Sequence, residues 1–235
     1  MSARFQELDY RQTPLGELSL RRRLEPGTGR EIHEIKLNEE FLMSSLFVVA
    51  EVELARLALA ELTGDSLNVV VGGLGLGYTA QTVLEDPRVG SLLVVDALSE
   101  VIEWHEHGLI PAGKTLAADE RCRLVHGDFF ALTRSGQGFG QTGELDAIVV
   151  DIDHSPRHLL HPSNADFYGS EGVRRLAEQL RPGGVFALWS NDPPEDEYAA
   201  TLATAFTNVR AEVVSFPNPL QDRDSTNTVY LARRR

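Results

Sequence analysis

The chain has 235 residues, 42% of them hydrophobic, enough to bury a substantial core as one domain with a small appendage. Its formal net charge of -13 excludes a nucleic-acid backbone or an anionic membrane as the main partner, because both need positive surface. A single cysteine, Cys122, excludes an internal disulfide framework and a multi-thiolate metal site, and it fits a reducing cytoplasm.

Taken from the start, Met1 to Gln12 lacks the apolar core of a signal peptide, and no later apolar run is long enough to span a bilayer. A soluble cytoplasmic protein is expected. Phe5 to Arg11, Leu15 to Leu24 and Glu31 to Leu37 show partial alternation, separated by turn signals at Thr13-Pro14 and Glu25-Pro26-Gly27-Thr28-Gly29. These predict a small antiparallel β appendage over residues 1–43. Its open edge needs cover, which a second subunit of a homodimer would provide. From Ser44 or Ser45 as N-cap to about Leu62 the pattern predicts one long helix closed by Thr63-Gly64-Asp65. Glu51, Glu53 and Arg56 fall on its solvent side, with Phe47, Ala50, Leu54 and Leu57 toward the core.

The remainder, residues 44–235, alternates strand and helix. Strands are expected up to Val71 and at Ser91 to Val95, Arg123 to Val125, Ala147 to Val150 and Val185 to Trp189. Helices are expected at Thr79 to Leu84, Ser99 to His107 and Asp166 to Leu180, the last ended by Arg181-Pro182-Gly183-Gly184. Such alternation specifies a mainly parallel sheet with helices on both faces. Val209 to Phe216 and Thr226 to Leu231 have no helix between them and read as a terminal β-hairpin. Gly136 to Gly143 reads as a surface loop.

The run Val69-Val70-Val71-Gly72-Gly73-Leu74-Gly75-Leu76-Gly77 delivers a buried strand into a glycine turn, where missing side chains let the backbone approach a nucleotide. Ligands of such sheets bind beyond the carboxyl ends of the strands, and acidic residues stand there repeatedly. Asp96 ends the second strand about 20 residues after the turn, at the spacing for a carboxylate on ribose hydroxyls. Asp128 follows the third strand, where it can accept from an adenine amino group while Phe129 or Phe130 lines the ring pocket. Asp151 and Asp153 end the fourth. A nicotinamide-binding fold shares the turn and Asp96, but it explains Asp128 and the terminal hairpin less readily.

The residues from Gly72 to about Gly184 resemble the spermidine synthase group within the class I S-adenosylmethionine-dependent transferases. The shared elements are the glycine turn, the acidic strand ends, Asp146-Ala147-Ile148-Val149-Val150-Asp151, Asp166-Phe167-Tyr168 and Leu180-Arg181-Pro182-Gly183-Gly184. Thr13-Pro14-Leu15-Gly16-Glu17-Leu18 is similar to that family's N-terminal subdomain. The resemblance implies a Rossmann-like α/β fold with a seven-stranded sheet, C-terminal hairpin and N-terminal β appendage. It further implies that Gly73, Gly75 and Gly77 surround the methionine end of the nucleoside, Asp96 holds ribose and Asp128 adenine. Asp151 would be the carboxylate that binds an attacking amine.

Two departures bear on the donor. The family's turn carries an aspartate that grips the amine of decarboxylated S-adenosylmethionine, where this chain has Gly75. Its tyrosine, glutamine and histidine before the first core helix are replaced by Phe41 to Phe47. These departures favour methyl transfer from ordinary S-adenosylmethionine to a small molecule, with aminopropyl transfer from the decarboxylated donor and nucleoside binding without turnover as alternatives. The loop Asp151 to His161 is expected to cover the pocket, with Asp151, Asp153 and His154 binding the acceptor, for which an amine is one candidate, and Trp189 and Asn191 as further walls. Its three histidines and two aspartates match no compact ligand spacing, so a polar lid is expected rather than a metal site.

Overall fold

The computed structural model describes residues 5–136, 138–140, 144–218 and 220–235. The chain opens with four antiparallel strands in sequential order, β1 Phe5–Thr13, β2 Gly16–Leu24, β3 Glu31–Leu37 and β4 Glu40–Ser44. The fourth strand takes in Ser44, one of the two residues the sequence offers as N-cap of the first helix. The hydroxyl of Ser45 is taken up by the small sheet, accepting from the backbone N–H of His33 at 2.9 Å, and so caps nothing. Helix α1, Val49–Ala60, starts after Val48 without a side-chain cap.

Beyond it lie seven strands: β5 Leu67–Gly72, β6 Val89–Asp96, β7 Cys122–His126, β8 Leu145–Val150, β9 Leu180–Ser190, β10 Phe206–Asn218 and β11 Arg223–Arg234. They form one sheet in the order β10-β11-β9-β8-β5-β6-β7. The five from β9 to β7 run parallel, and β11 turns the sheet antiparallel against β9. The remaining helices are α2 Tyr78–Glu85, α3 Ser99–Glu106, α4 Gly113–Ala118, α5 Phe129–Ser135, α6 Ala165–Tyr168, α7 Ser170–Gln179 and α8 Asp196–Ala203. None of the described helices is long and apolar enough to cross a membrane.

Strand alternation divides the core into two layers. Val69 and Val71 face a cluster with Leu54, Ala80 and Trp104, which continues into Leu18, Leu20 and Ile35 of the N-terminal sheet. Val70, Ile148 and Val150 face the other side, where Phe129, Phe130, Phe167 and Tyr168 pack. The N-terminal sheet is also pinned by Trp104 of α3, whose indole N–H donates to Asp9 at 2.8 Å.

Three stretches differ from the sequence reading. The helix expected from Asp166 to Leu180 is broken at Gly169, and a side chain at Gly172 would lie 2.1 Å from the carbonyl of Asp166, so the two pieces turn tightly on each other. Leu180 already pairs with Leu145, so Arg181 to Gly184 belongs to β9, with the Arg181 guanidinium donating to Asp146. Of the surface loop expected over Gly136 to Gly143, Gln137 and residues 141–143 lie outside the described residues.

Candidate active site

The carboxyl ends of the parallel strands open into a cavity of about 1330 Å³. Its floor is the glycine turn. Gly73 has φ 92°, and a Cβ there would lie 2.1 Å from the carbonyl oxygen of Asp151, so the first and fourth parallel strands touch at a point where no side chain fits. Gly75 has φ 46°, and a Cβ there would lie 2.9 Å from the sulfur of Met43, which also accepts from the N–H of Leu76 at 3.1 Å. Both glycines line the cavity. Gly77 does not: it begins α2 and presses on His105, whose Cε1 would be 2.8 Å from an added Cβ. The buried ring of His105 meets the carbonyl of Gly75 at 2.9 Å, and burial lowers its pKa, so a neutral imidazole donates to that carbonyl and braces the turn from beneath.

Asp96, at the end of β6, accepts from the N–H groups of Leu74 and Leu98, each at 2.8 Å. Burial pushes its pKa up against the lowering effect of these donors. Glu100, in the first turn of α3, also lines the cavity. Asp128 caps α5, its Oδ1 accepting from Ala131 at 2.9 Å, and Oδ2 lies 3.6 Å from Arg134. Phe129 reaches the cavity from an aromatic cluster, stacking on Phe139 at 5.2 Å and meeting Phe130 edge-on at 5.7 Å.

Asp151 follows β8, and its Oδ2 accepts from the hydroxyl of Thr79 at 2.9 Å. A second carboxylate faces it. Glu51, which helical projection of the sequence assigns to solvent, lines the cavity, because the first turn of α1 overhangs the strand ends rather than the outer surface. Burial raises both pKa values, Asp151 to about 6 against the Thr79 hydrogen bond, and Glu51 to about 8 with the charge of Asp151 adding to the rise. At neutral pH the two therefore hold a proton between them.

The loop after β8 separates its candidates. His154 lines the cavity, and its carbonyl accepts from the N–H of Asn191 at 2.7 Å. Asp153 is turned away and buried, accepting from the N–H of Leu160 at 2.7 Å, from Asn164 at 3.0 Å and from the hydroxyl of Tyr168 at 2.8 Å. Those contacts make it the internal brace of the loop. His158 meets Asp192 at 2.9 Å and His161 meets Ser163 at 2.8 Å. Among the described residues no group of three or more histidines, cysteines or carboxylates is arranged to hold a metal.

The remaining walls come from Trp189 and Asn191 at the end of β9, and from Phe216, Asn218 and Asn227 of the hairpin. Phe216 also meets Phe47, at 5.6 Å between ring centroids. Glu51, Met43 and the hairpin residues are the parts that sequence reasoning missed. The paired strands of the tail were visible, but their reach over the cavity is set by the pairing of β11 with β9.

No family model matches the chain, and no curated protein matches it. Solved structures do. A spermidine synthase in complex with the transition-state analogue AdoDATO superimposes with a TM-score of 0.75 and 16% identity, over 97% of this chain and 73% of that one. Spermidine synthase from Thermotoga maritima gives a TM-score of 0.73 and 16% identity, over 97% of this chain and 72% of that one. The seven-stranded sheet, its terminal hairpin and the small N-terminal sheet together give this chain a spermidine synthase-like, Rossmann-like α/β fold.

Proposed function

We propose that the protein is a transferase that moves an aminopropyl group from decarboxylated S-adenosylmethionine to a small amine. The observation that carries this reading is the buried pair Glu51 and Asp151, in a cavity lined by six carboxylates (Glu51, Asp96, Glu100, Asp128, Asp151, Asp224) against one arginine, Arg223. A cation entering there offsets the burial that raises both pKa values and the charge of Asp151 that adds to the rise at Glu51. The pair also answers the main sequence argument for methyl transfer: the carboxylate missing from the turn at Gly75 has a counterpart in Glu51, supplied from α1. The structural likeness to spermidine synthases points the same way.

The residues fit an adenosyl sulfonium. Gly73 and Gly75 leave the turn without side chains, Asp96 and Glu100 offer acceptors for ribose, and Asp128 and Phe129 offer an acceptor and an apolar wall for adenine. When bound, such a nucleoside supplies an electrophilic carbon and a thioether leaving group. The chain's own contribution is to orient the amine and to take its proton. Asp151, raised to about 6, is a better match to an ammonium near 10 than an ordinary carboxylate, though position still supplies much of the effect.

A second reading, methyl transfer from ordinary S-adenosylmethionine, is favoured by the surroundings of Gly75. There the thioether of Met43 fills the space a turn side chain would need. Incubating the protein with each donor and a set of amines, and identifying the nucleoside product by mass spectrometry, decides between them. 5′-Methylthioadenosine supports the proposal, and S-adenosylhomocysteine supports methyl transfer. Nucleoside binding without either product would leave a binding protein and refute both.

A further inference from the structure

The hydroxyl that reaches Asp151 belongs to a buried residue of α2. Thr79, the second residue of that helix, donates to Oδ2 of Asp151 at 2.9 Å from a position 72 residues earlier in the chain. A helical threonine commonly returns its hydroxyl to a carbonyl three or four residues back. Here the carbonyl four back, that of Gly75, is met by His105 at 2.9 Å, and the single hydroxyl proton goes to the carboxylate instead. The carbonyl of Glu51 lies farther from the hydroxyl, at 3.5 Å. A donated hydrogen bond favours the ionised form of a carboxyl group, because only that form accepts at both oxygens. Among the described residues no side chain donates to the Glu51 carboxyl, which has only its own backbone N–H. Two carboxyls that hold one proton between them are therefore treated unequally.

We infer that Thr79 is a positioning residue that decides where the pair keeps its proton: it holds Asp151 ionised, leaves Oδ1 as the oxygen open to an amine, and so assigns the proton to Glu51. The use made of that oxygen rests on the amine-acceptor reading above; the place of the proton does not. The Thr79 bond works against burial to hold Asp151 at about 6, while Glu51 rises to about 8. Of the other titratable groups, Tyr78 is next to Thr79 on α2 and feels the charge of Glu51, and burial raises its pKa so that it stays uncharged at neutral pH. Asp96, Glu100, Asp128, Asp224, His154 and Arg223 line the rest of the cavity. In transfer the ammonium gives one proton to Oδ1 of Asp151. Its lone pair then forms the C–N bond as the C–S bond breaks, the bonding pair leaves on the thioether sulfur, and the product departs as a secondary ammonium.

Carboxyl 13C NMR titration of the full chain tests the proton's place without any substrate. Glu51→Gln and Asp151→Asn each assign one resonance by its loss. At pH 7 the Glu51 signal is expected to be that of a protonated carboxyl and the Asp151 signal that of an ionised one. Thr79→Val keeps the shape and removes the hydroxyl, and it should raise the Asp151 midpoint by about one pH unit, as loss of a hydrogen bond to a charged group implies. Thr79→Ser, which keeps the hydroxyl, should leave that midpoint near the wild-type value. The acid limb of the single-turnover rate should move with the midpoint. An Asp151 midpoint unchanged in Thr79→Val, or a wild type with Asp151 protonated and Glu51 ionised at pH 7, overturns the inference whether or not transfer occurs. The expected titrations without any transfer product uphold the proton assignment and remove the amine-transfer reading.

Discussion

Replacing Glu51 by Gln removes the charge while keeping the shape, and its effect on stability should depend on pH in a way that reports the buried pair. A carboxyl raised from 4.5 to about 8 costs up to about 5 kcal/mol when forced to ionise, at 1.36 kcal/mol per pH unit. Glu51 keeps part of its surface in the water of the cavity, so about 3 kcal/mol is the figure to expect. Its pKa is higher folded than unfolded, so the folded state holds the extra proton between these values. Stability therefore falls as pH rises from about 4.5 to about 8, and the penalty is complete above that. Glu51→Gln escapes it. For a chain of 235 residues the variant should melt about 6 to 12 °C above the wild type at pH 9 and close to it at pH 5. Calorimetric scans of both proteins between pH 5 and 9 measure this. A melting difference that does not change with pH would show that Glu51 is ionised throughout, and the argument from the carboxylate pair would fail.

Asp151→Asn should lower the transfer rate by about 10²- to 10⁴-fold with little change in nucleoside affinity, read by single-turnover product formation. Gly73→Ala sets a Cβ 2.1 Å from the carbonyl of Asp151 at φ 92°, and a loss of at least about 2 kcal/mol is expected in urea unfolding. Asp153→Ala leaves Tyr168 and Asn164 without their shared acceptor, so it should cost about 2 to 4 kcal/mol of stability. Its nucleoside dissociation constant, measured by calorimetry, should stay within two-fold of wild type. The edge strand β1 exposes Phe5 and Tyr10, and we propose that a second copy covers it. Light scattering should then give twice 25.9 kDa, and a monomer at every concentration would refute this.

The parts legible in the sequence are those set by short-range pattern. The apolar strands and the turns after them put Asp96, Asp128 and Asp151 at one sheet edge without knowledge of any contact. The residues that escaped depend on contacts far apart in sequence. Glu51 sits one position from the buried Ala50, and only the overhang of α1 past the sheet makes its direction cavity rather than solvent. Asp153 has the look of a ligand, but its partners Asn164 and Tyr168 arrive 11 and 15 residues later through the turn into α6. Ser45 has the chemistry of a cap, yet its hydroxyl answers to His33 across β3 and β4.

The contact between Phe47 and Phe216 joins two segments that lie on either side of the stretch of chain that carries the glycine turn and the acidic strand ends. On the proposed function, donor and acceptor would be read by different portions of the polypeptide, the donor by its middle and much of the acceptor wall by its two flanks. Substitutions in the flanks can retune which acceptor is taken while the glycine turn and its acidic strand ends stay as they are. Swapping the tail hairpin between proteins of this fold should therefore carry acceptor choice with it and leave donor choice behind.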